Sequence, residues 1–372
     1  MERTMSAVQG VPEDAEAFRA AVDARTAYKP LYVKFKLFFG CNLRCEMCNH
    51  WRGHRESPLP AERVVQTLDE LASLGCRKVH FSGGEPLLRP QVPEFIERAS
   101  ARGIRVTMTT NGTLVDKALA RRMIEGGLRG VNVSIDAPTR RIHERVRGVE
   151  GAFKKTSRAV EYFRRYAGKG KLTLRVNTVV SRLNFRALAG LPDYVAGLGA
   201  DRLNLIPVDD HCGEHLSLTR RHIREYNDRI APAIAERALD LGLMEHAREA
   251  YPFGRTEEEV RHGRNGEYAM GWYDRNPCFA PWTQSLIDFN GEVYVCCMTR
   301  ERIPPLGDLR TSSFTEIWRG AAYDAVRGQM HPPRLDPCRR CDDYLAENRV
   351  LLQISSDRRR GPSPSRPTCS PP

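Results

Sequence analysis

Between residues 31 and 210, short β-rich stretches alternate with helix-length amphipathic stretches. The strand candidates lie at residues 31–38, 78–81, 105–109, 130–135, 172–180 and 202–207. In the intervening stretches, such as 61–74 and 152–166, apolar residues recur at spacings of three and four, which is the period of an amphipathic helix. Six successive β/α units predict parallel strands that are joined by crossover helices.

The C-terminal part of the chain has a different pattern. Residues 211–275 are polar and helical in pattern, and after them the runs 285–289 and 292–297 flank Asn290-Gly291, a strong hairpin signal. We therefore predict an α/β fold, a partial (β/α)6 TIM-type barrel with a small C-terminal α+β domain. The predicted divisions are an N-terminal extension (1–30), the barrel (31–210), a helical linker (211–275), the C-terminal domain (276–350) and a disordered tail (351–372).

Composition indicates a folded protein of ordinary type. Of 372 residues, 41% are hydrophobic and 28% are charged, as in globular proteins. The net charge of +12 comes mostly from arginines that are interleaved with acidic residues, so we expect no nucleic-acid partner. Neither a signal peptide nor a membrane-spanning stretch is visible, and we expect a cytoplasmic protein without a membrane partner. In that reducing compartment, eleven cysteines point to metal binding rather than to disulfides.

Three cysteines follow the first predicted strand. Cys41, Cys45 and Cys48 lie on the loop at its C-terminal end, where barrel active sites lie. Three thiolates can hold a 4Fe-4S cluster and leave one iron open for a ligand that is not protein. A zinc site or buried structural thiols are the alternatives.

The C-x3-C-x2-C spacing after a first strand resembles the signature of the radical S-adenosylmethionine (SAM) superfamily. The resemblance implies that the open iron chelates the amino and carboxylate groups of SAM, and that Met47 contacts adenine. It also implies reductive cleavage of SAM to a 5′-deoxyadenosyl radical, which abstracts hydrogen from the substrate. A flavodoxin- or ferredoxin-type protein would supply the electron.

Further segments at the ends of predicted strands resemble the same family. Ser82-Gly83-Gly84-Glu85 resembles its GGE motif, in which glycines let the backbone approach the SAM amine. The resemblance assigns SAM binding to Met47, Ser82, Gly83, Gly84, Glu85, Thr110, Asn111, Ser134, Asp136, Asn177 and Pro207. Arg147-Gly148, with His143, resembles a segment that is frequent in relatives with an additional cluster domain, but no role is assigned to it.

A second cysteine group lies in the C-terminal part. Cys278, Cys296, Cys338 and Cys341 could complete one cluster, and their spacing resembles the SPASM/twitch auxiliary cluster module. Because no further cysteine follows until Cys369, the resemblance implies a single auxiliary 4Fe-4S cluster. Cys297 remains an alternative to Cys296, and zinc an alternative to iron.

Candidate catalytic residues follow the sixth predicted strand. The Cys212 thiol could donate hydrogen to a product radical, and Asp209 and Asp210 could remove a proton from a substrate alcohol. A solvated loop is the alternative.

Two substrate classes remain open. A small molecule (a sugar, aminocyclitol or nucleoside of secondary metabolism) would undergo dehydrogenation, epimerisation or decarboxylation. A peptide or protein substrate, as in SPASM maturases, is the alternative. Only about 30 residues precede the first predicted strand, too few for the leader-binding domain of many peptide-modifying relatives. We therefore expect a small-molecule substrate.

Overall fold

The computed structural model describes residues 8, 11–53, 57–168, 170–209, 215–341 and 345–356. The strands in this part of the chain form one sheet. They are β1 (Tyr32–Phe38), β2 (Lys78–Gly83), β3 (Arg105–Thr110), β4 (Leu128–Ser134), β5 (Thr173–Val180), β6 (Arg202–Pro207), β7 (Gln284–Ile287), β8 (Glu292–Tyr294) and β9 (Gly307–Asp308).

Helices connect the strands and complete the C-terminal part. They are α1 (Ala15–Ala24), α2 (Ala61–Ser73), α3 (Val92–Ala101), α4 (Lys117–Glu125), α5 (Arg140–Arg147), α6 (Ala152–Ala167), α7 (Leu191–Gly197), α8 (Arg220–Glu225), α9 (Ala231–Asp240), α10 (Glu257–Arg264), α11 (Ala280–Thr283), α12 (Phe314–Trp318), α13 (Ala321–Arg327) and α14 (Leu345–Ser356). No helix in the described ranges is both long enough and apolar enough to cross a membrane.

Strands β1 to β6 are parallel and follow one another in space as they do in sequence. Alternate residues point to opposite faces of the sheet. On β1, Val33, Phe35 and Leu37 are completely buried, whereas Lys34 and Lys36 on the other face are only partly buried. The predicted partial barrel is confirmed, and each predicted strand end lies within two residues of the observed end.

The C-terminal hairpin continues the barrel sheet. β7 and β8 are antiparallel across Asn290-Gly291, as that pair predicts. β7 also pairs in parallel with β1, in register from Tyr32 with Gln284 to Phe35 with Ile287. The segment that we expected to form a separate domain is therefore joined to the barrel by backbone hydrogen bonds. Its pairing covers the edge of β1 that would otherwise be open.

Both ends of the described chain pack on this C-terminal segment. Trp282 Nε1 donates a hydrogen bond to Ala21 O of α1 (3.1 Å), and the rings of Phe18 and Phe279 meet edge to face. Helix α14 runs to Ser356, so the tail boundary that we predicted at residue 351 falls inside a helix. Residues 357–372 of that predicted tail lie outside the described part of the chain.

A buried arginine ties the helices of the C-terminal segment together. Arg327 is completely buried and donates hydrogen bonds to Pro281 O (3.1 Å) and Trp318 O (2.9 Å). Its third partner is the Asp324 carboxylate at 2.6 Å. The guanidinium also lies 5.0 Å from the ring centre of Tyr323, whose hydroxyl is hydrogen-bonded to the hairpin. Arg327 therefore links α11, α12 and α13 beneath the hairpin.

Replacing Arg327 by Met should lower the free energy of unfolding by about 2–4 kcal/mol, because two buried carbonyl groups would lose their donors. Urea unfolding followed by circular dichroism measures the loss. Arg319→Met is the matched control, since Arg319 is exposed at the end of α12, and it should change stability by no more than about 0.5 kcal/mol. Equal losses in the two variants would contradict this role of Arg327.

Candidate active site and auxiliary cysteine site

The loop that carries the first three cysteines (the cysteine loop, residues 39–50) begins where β1 ends. The end of β2 lies beside it and is bound to it through the backbone. Gly84 N donates to Phe38 O at 2.8 Å, and Glu85 N donates to Gly40 O at 2.9 Å. These two bonds fix the start of the cysteine loop against β2.

Glycine is required at two positions of this contact. A Cβ atom at Gly83 would lie 2.3 Å from Phe38 O, and one at Gly84 would lie 2.2 Å from Phe39 O. Gly83 also has a φ of 150°, which other residues rarely adopt. The start of the cysteine loop occupies the space that a side chain would need at both positions. The assignment of these glycines to SAM binding stays a prediction.

The Glu85 side chain is completely buried and holds the end of β3. Its carboxylate accepts hydrogen bonds from Asn111 N (2.7 Å), Thr110 Oγ1 (2.8 Å) and Leu87 N (3.0 Å). Burial raises the pKa of Glu85 to about 7, although these donors oppose the shift. The carboxylate thus joins the ends of β2 and β3, and its assignment to SAM binding stays a prediction.

The Asn111 side chain reaches back to the cysteine loop. Its Nδ2 atom donates to Asn42 Oδ1 at 2.8 Å and lies 3.8 Å from Cys41 Sγ. Its Oδ1 accepts from Thr113 N at 2.9 Å, which fixes the orientation of the amide. The predicted site residues Thr110 and Asn111 therefore lie at the first cysteine.

A buried ion pair lies against the second cysteine. Arg147 Nε is 2.6 Å from Asp136 Oδ2, and Arg147 Nη1 is 3.7 Å from Cys45 Sγ. Asp136 is fully buried, and its other oxygen accepts from Val179 N of β5 at 2.9 Å. Burial raises the pKa of Asp136, and the carboxylate in turn raises the pKa of Arg147. The carboxylate that we assigned to SAM binding thus holds a guanidinium beside Cys45.

The end of α5 docks on the cysteine loop. Arg44 N donates to Arg147 O and Glu46 N to Val146 O, both at 3.1 Å. A Cβ at Gly148 would lie 2.3 Å from Arg44 O, so this position also requires glycine. No role could be predicted for Arg147-Gly148, because its contacts with Arg44 and Cys45 span about 100 residues of the chain. The only local signal is an arginine followed by a glycine at a helix end.

The three thiols fit an iron–sulfur cluster. Cys45 is buried with Leu43 and Ala152, and the partly buried Met47, Cys41 and Cys48 pack against this apolar group. Burial raises the pKa of Cys41 to about 11 and also raises that of Cys45. Thiols in such surroundings are neutral until a metal displaces their protons. Three sulfur ligands on one loop match the donor set of a cluster with one open iron.

The remaining predicted SAM residues lie at the same end of the barrel. Ser82 is near the end of β2, and Ser134, the last residue of β4, is in register with Asn177 on β5. Pro207 ends β6. Their assignment to SAM stays a prediction, as does the assignment of Met47 to adenine.

The predicted catalytic residues are only partly described. Asp209 is exposed and lies two residues beyond the end of β6. Asp210 and Cys212 lie outside the described residues, so their assignment stays a prediction.

The second cysteine group lines one cavity. Cys278, Cys296, Cys297, Cys338 and Cys341 surround it, together with Tyr273, Ala280, Gln284 and Met298. Burial, with Cys278 close by, raises the pKa of Cys296 to about 11. Cys278 and Cys296 also help to raise the pKa of Cys338. This mutual proximity supports Cys296, rather than Cys297, as the fourth ligand of an auxiliary cluster.

A buried asparagine positions Cys278. Asn348 of α14 accepts a hydrogen bond from Phe279 N (2.8 Å) and donates to Tyr273 Oη (2.7 Å). Its amide nitrogen is also 3.7 Å from Cys278 Sγ. The sequence held no signal for Asn348, since it lies 70 residues from Cys278 and belongs to no motif.

Comparison with protein families matches two segments of the chain. Residues 35–183 match the radical SAM superfamily. Residues 278–342 match SPASM, the iron–sulfur cluster-binding domain. The first match contains Cys41, Cys45 and Cys48, and the second contains all four predicted auxiliary ligands.

Known proteins resemble the chain over most of its length. PqqA peptide cyclase of Granulibacter bethesdensis is 27% identical over 335 residues, which is 85% of this chain and 81% of the relative. Fe-coproporphyrin III synthase of Methanosarcina barkeri is 27% identical over 336 residues, 84% of this chain and 80% of the relative. The crystal structure of Streptococcus suis SuiB bound to its precursor peptide SuiA superposes with a TM-score of 0.63. It is 17% identical and covers 90% of this chain and 76% of SuiB, which shows a shared fold.

Members of this family use a 4Fe-4S cluster and SAM, and the SPASM domain binds additional iron–sulfur clusters. The family matches agree with the thiol arrangement at both sites. The chain is therefore an enzyme of the radical SAM superfamily with a C-terminal SPASM iron–sulfur cluster-binding domain.

Proposed function

We propose that this enzyme modifies a peptide, with a hydrogen atom of the peptide as the target of the SAM-derived radical. The observation that carries the proposal is a cavity, here called the groove, at the carboxyl end of the barrel. It is lined by Pro207 and Asp209 at the end of β6 and by Met298 and Arg340 of the C-terminal segment, and Met298 also lines the cavity of the auxiliary cysteines. A ligand in the groove would therefore contact both the barrel and the segment that carries the auxiliary cysteines.

The lining of the groove supports a peptide ligand. Leu218, Phe253 and Tyr268 provide apolar and aromatic surface, and Asp209 and Arg340 provide charges of both signs. Tyr268 is fixed by a hydrogen bond from its hydroxyl to Val208 O at 3.2 Å. Aromatic anchors with a few polar groups are typical of peptide-binding surfaces.

The comparisons favour the peptide alternative over the small-molecule substrate that we expected. PqqA peptide cyclase, similar over most of both chains, is named for a peptide substrate, and SuiB is bound to a peptide. Fe-coproporphyrin III synthase, by contrast, is named for a porphyrin. The test below therefore includes this porphyrin as a small-molecule candidate.

The chain's own residues prepare the site for this chemistry. The bound cluster and SAM supply reductive cleavage of SAM and hydrogen abstraction. Glu85 holds the ends of β2 and β3 together, while Leu43 and Ala152 are buried with the Cys45 thiol. Arg147, held by Asp136, keeps a positive charge beside Cys45. A fixed charge at this position favours the reduced, more negative form of a cluster.

The substrate class can be tested with the anaerobically reconstituted enzyme, SAM and dithionite. Synthetic peptides encoded by short reading frames beside its gene should raise 5′-deoxyadenosine formation severalfold. One of them should change mass only when SAM is present, because hydrogen abstraction commits the peptide to a new covalent structure. Mass spectrometry reads both products. Stimulation by iron coproporphyrin III, or by aminocyclitols and nucleosides, with no response to any peptide would overturn the proposal.

Replacing Arg147 by Met should lower SAM cleavage by at least about tenfold, because Asp136 would be left buried without its partner and Cys45 would lose the adjacent charge. The same variant should shift the reduction potential of the first cluster to more negative values, measured by electron paramagnetic resonance during a redox titration.

Arg145→Met is the matched control for this prediction. Arg145 lies on the same helix and is exposed, so both the cleavage rate and the potential should stay near those of the parent. An Arg147→Met enzyme with parental values would show that the ion pair has no part in the chemistry.

A further inference from the structure

The inner face of the barrel carries cations and no acidic side chain. Strands β1 to β6 contain no Asp or Glu at any position. On β1, the completely buried Val33 and Phe35 face the helices, which leaves Lys34 and Lys36 on the inner side. On β5, Arg175 occupies the inner side, since the neighbouring Leu174 and Val176 are completely buried.

The neutral polar residues of this face are hydrogen-bonded to one another. His80 has Thr107 Oγ1 at 2.8 Å from Nδ1 and Thr109 Oγ1 at 2.9 Å from Nε2. Asn132 Nδ2 donates to Thr109 Oγ1 at 3.2 Å. Burial, reinforced by Lys34, lowers the pKa of His80 well below its usual value, so the ring is uncharged at neutral pH. This network therefore adds no negative charge to the inner face.

The buried carboxylates nearest the barrel mouth are already engaged. Glu85 accepts hydrogen bonds from the end of β3, and Asp136 is paired with Arg147. Neither carboxylate is exposed. Neither carboxylate is therefore free to pair with Lys36.

Lys36 lies two residues before the end of β1, the strand that leads into the cysteine loop. Its register partner on β2 is Ser82, and the preceding residue, Phe35, is in register with Ile287 of β7. Its charged neighbours include Arg300 and Asp288 of the C-terminal segment. Lys36 therefore lies between the SAM site and the auxiliary hairpin.

The acidic side chains near Lys36 are engaged by Arg300. The Asp288 carboxylate is bound by Arg300 Nε at 2.5 Å, and these side chains are 2% and 12% exposed, while Arg300 Nη2 lies 3.0 Å from Glu301 Oε1. Within the described part of the chain, no hydrogen bond or ion pair is made by the Lys36 ammonium. Burial and Arg300 lower the pKa of Lys36 to about 8, and at pH 7 most of it stays protonated. A partly buried cation without a partner loses part of its hydration, and a ligand that supplies an anion compensates this loss.

We propose that Lys36 binds the carboxylate of an aspartate or glutamate of the peptide substrate, and so draws an acidic residue into the barrel. The inference rests on the proposed function. It assigns the substrate a chemical feature, an acidic side chain close to the residue that loses hydrogen. An ammonium group suits this role, since it attracts a carboxylate from several directions as a point charge.

The test captures peptides on the immobilised, cluster-loaded full chain with SAM, under anaerobic conditions. The probe is a synthetic library of undecapeptides that is randomised at every position, in 0.5 M salt so that surface charges are screened. Mass spectrometry compares the frequency of Asp and Glu with that of Asn and Gln. The parent should enrich the acidic residues about tenfold at one position of the retained peptides, the ratio expected of one charge-assisted contact.

Two substitutions at position 36, Lys36→Met and Lys36→Gln, should return this ratio to that of the starting library. Iron content and circular dichroism verify that each variant is folded. Lys154→Met is the control with the same charge change, because Lys154 is exposed on α6, and it should keep the enrichment.

Retention of peptides without an acidic preference, or the same preference in the folded position-36 variants, would overturn this inference and leave the peptide function standing. Retention of no peptide by the parent would overturn the peptide function, and this inference with it.

Discussion

The position of the cysteine loop depends on two backbone contacts that leave no room for side chains. On one side the end of β2 packs against residues 38–40, where a Cβ on Gly83 or Gly84 would overlap a carbonyl oxygen. On the other side the end of α5 packs against Arg44, and Gly148 lies at this contact. Because both contacts are formed by backbone, the loop is held in place before any metal is bound. Preorganisation of this kind lowers the cost of assembling the site.

The same loop is connected to the auxiliary site through the sheet. β1 leads into the cysteine loop, and its other neighbour is β7, which begins the hairpin that carries Cys296. The two cysteine groups therefore lie on adjacent parts of one hydrogen-bonded sheet rather than on domains that move independently. The inner face of β1, with Lys36, is the surface that these two sites share.

The sequence predicted what depends on local pattern. Short β-rich stretches predicted the six barrel strands, and Asn290-Gly291 predicted the hairpin. The spacing of Cys41, Cys45 and Cys48 carried the family resemblance that implied the chemistry. Parallel pairing of β7 with β1 was not predictable, because those strands are separated by about 250 residues and neither has a distinctive pattern.

The hydrogen-bond and ion-pair partners of the site residues could not be predicted from the sequence either. Glu85 and Asp136 were recognised as site residues, but their partners, the end of β3 and Arg147, are chosen by tertiary packing. Asn348 illustrates the same limit, since a single polar residue in a helix carries no signal until the fold places it beside Cys278. Local motifs therefore identified the chemistry, and long-range contacts determined how each residue serves it.

The most direct test is the iron and acid-labile sulfide content of the anaerobically reconstituted enzyme, with SAM cleavage followed under dithionite. The parent should hold about eight irons per chain, and a Cys41/Cys45/Cys48→Ala variant about four, as expected for one SAM cluster and one auxiliary cluster. Only the parent should form 5′-deoxyadenosine. Zinc without sulfide, a variant that keeps no iron, or a fully loaded parent that leaves SAM intact would contradict the two-cluster account.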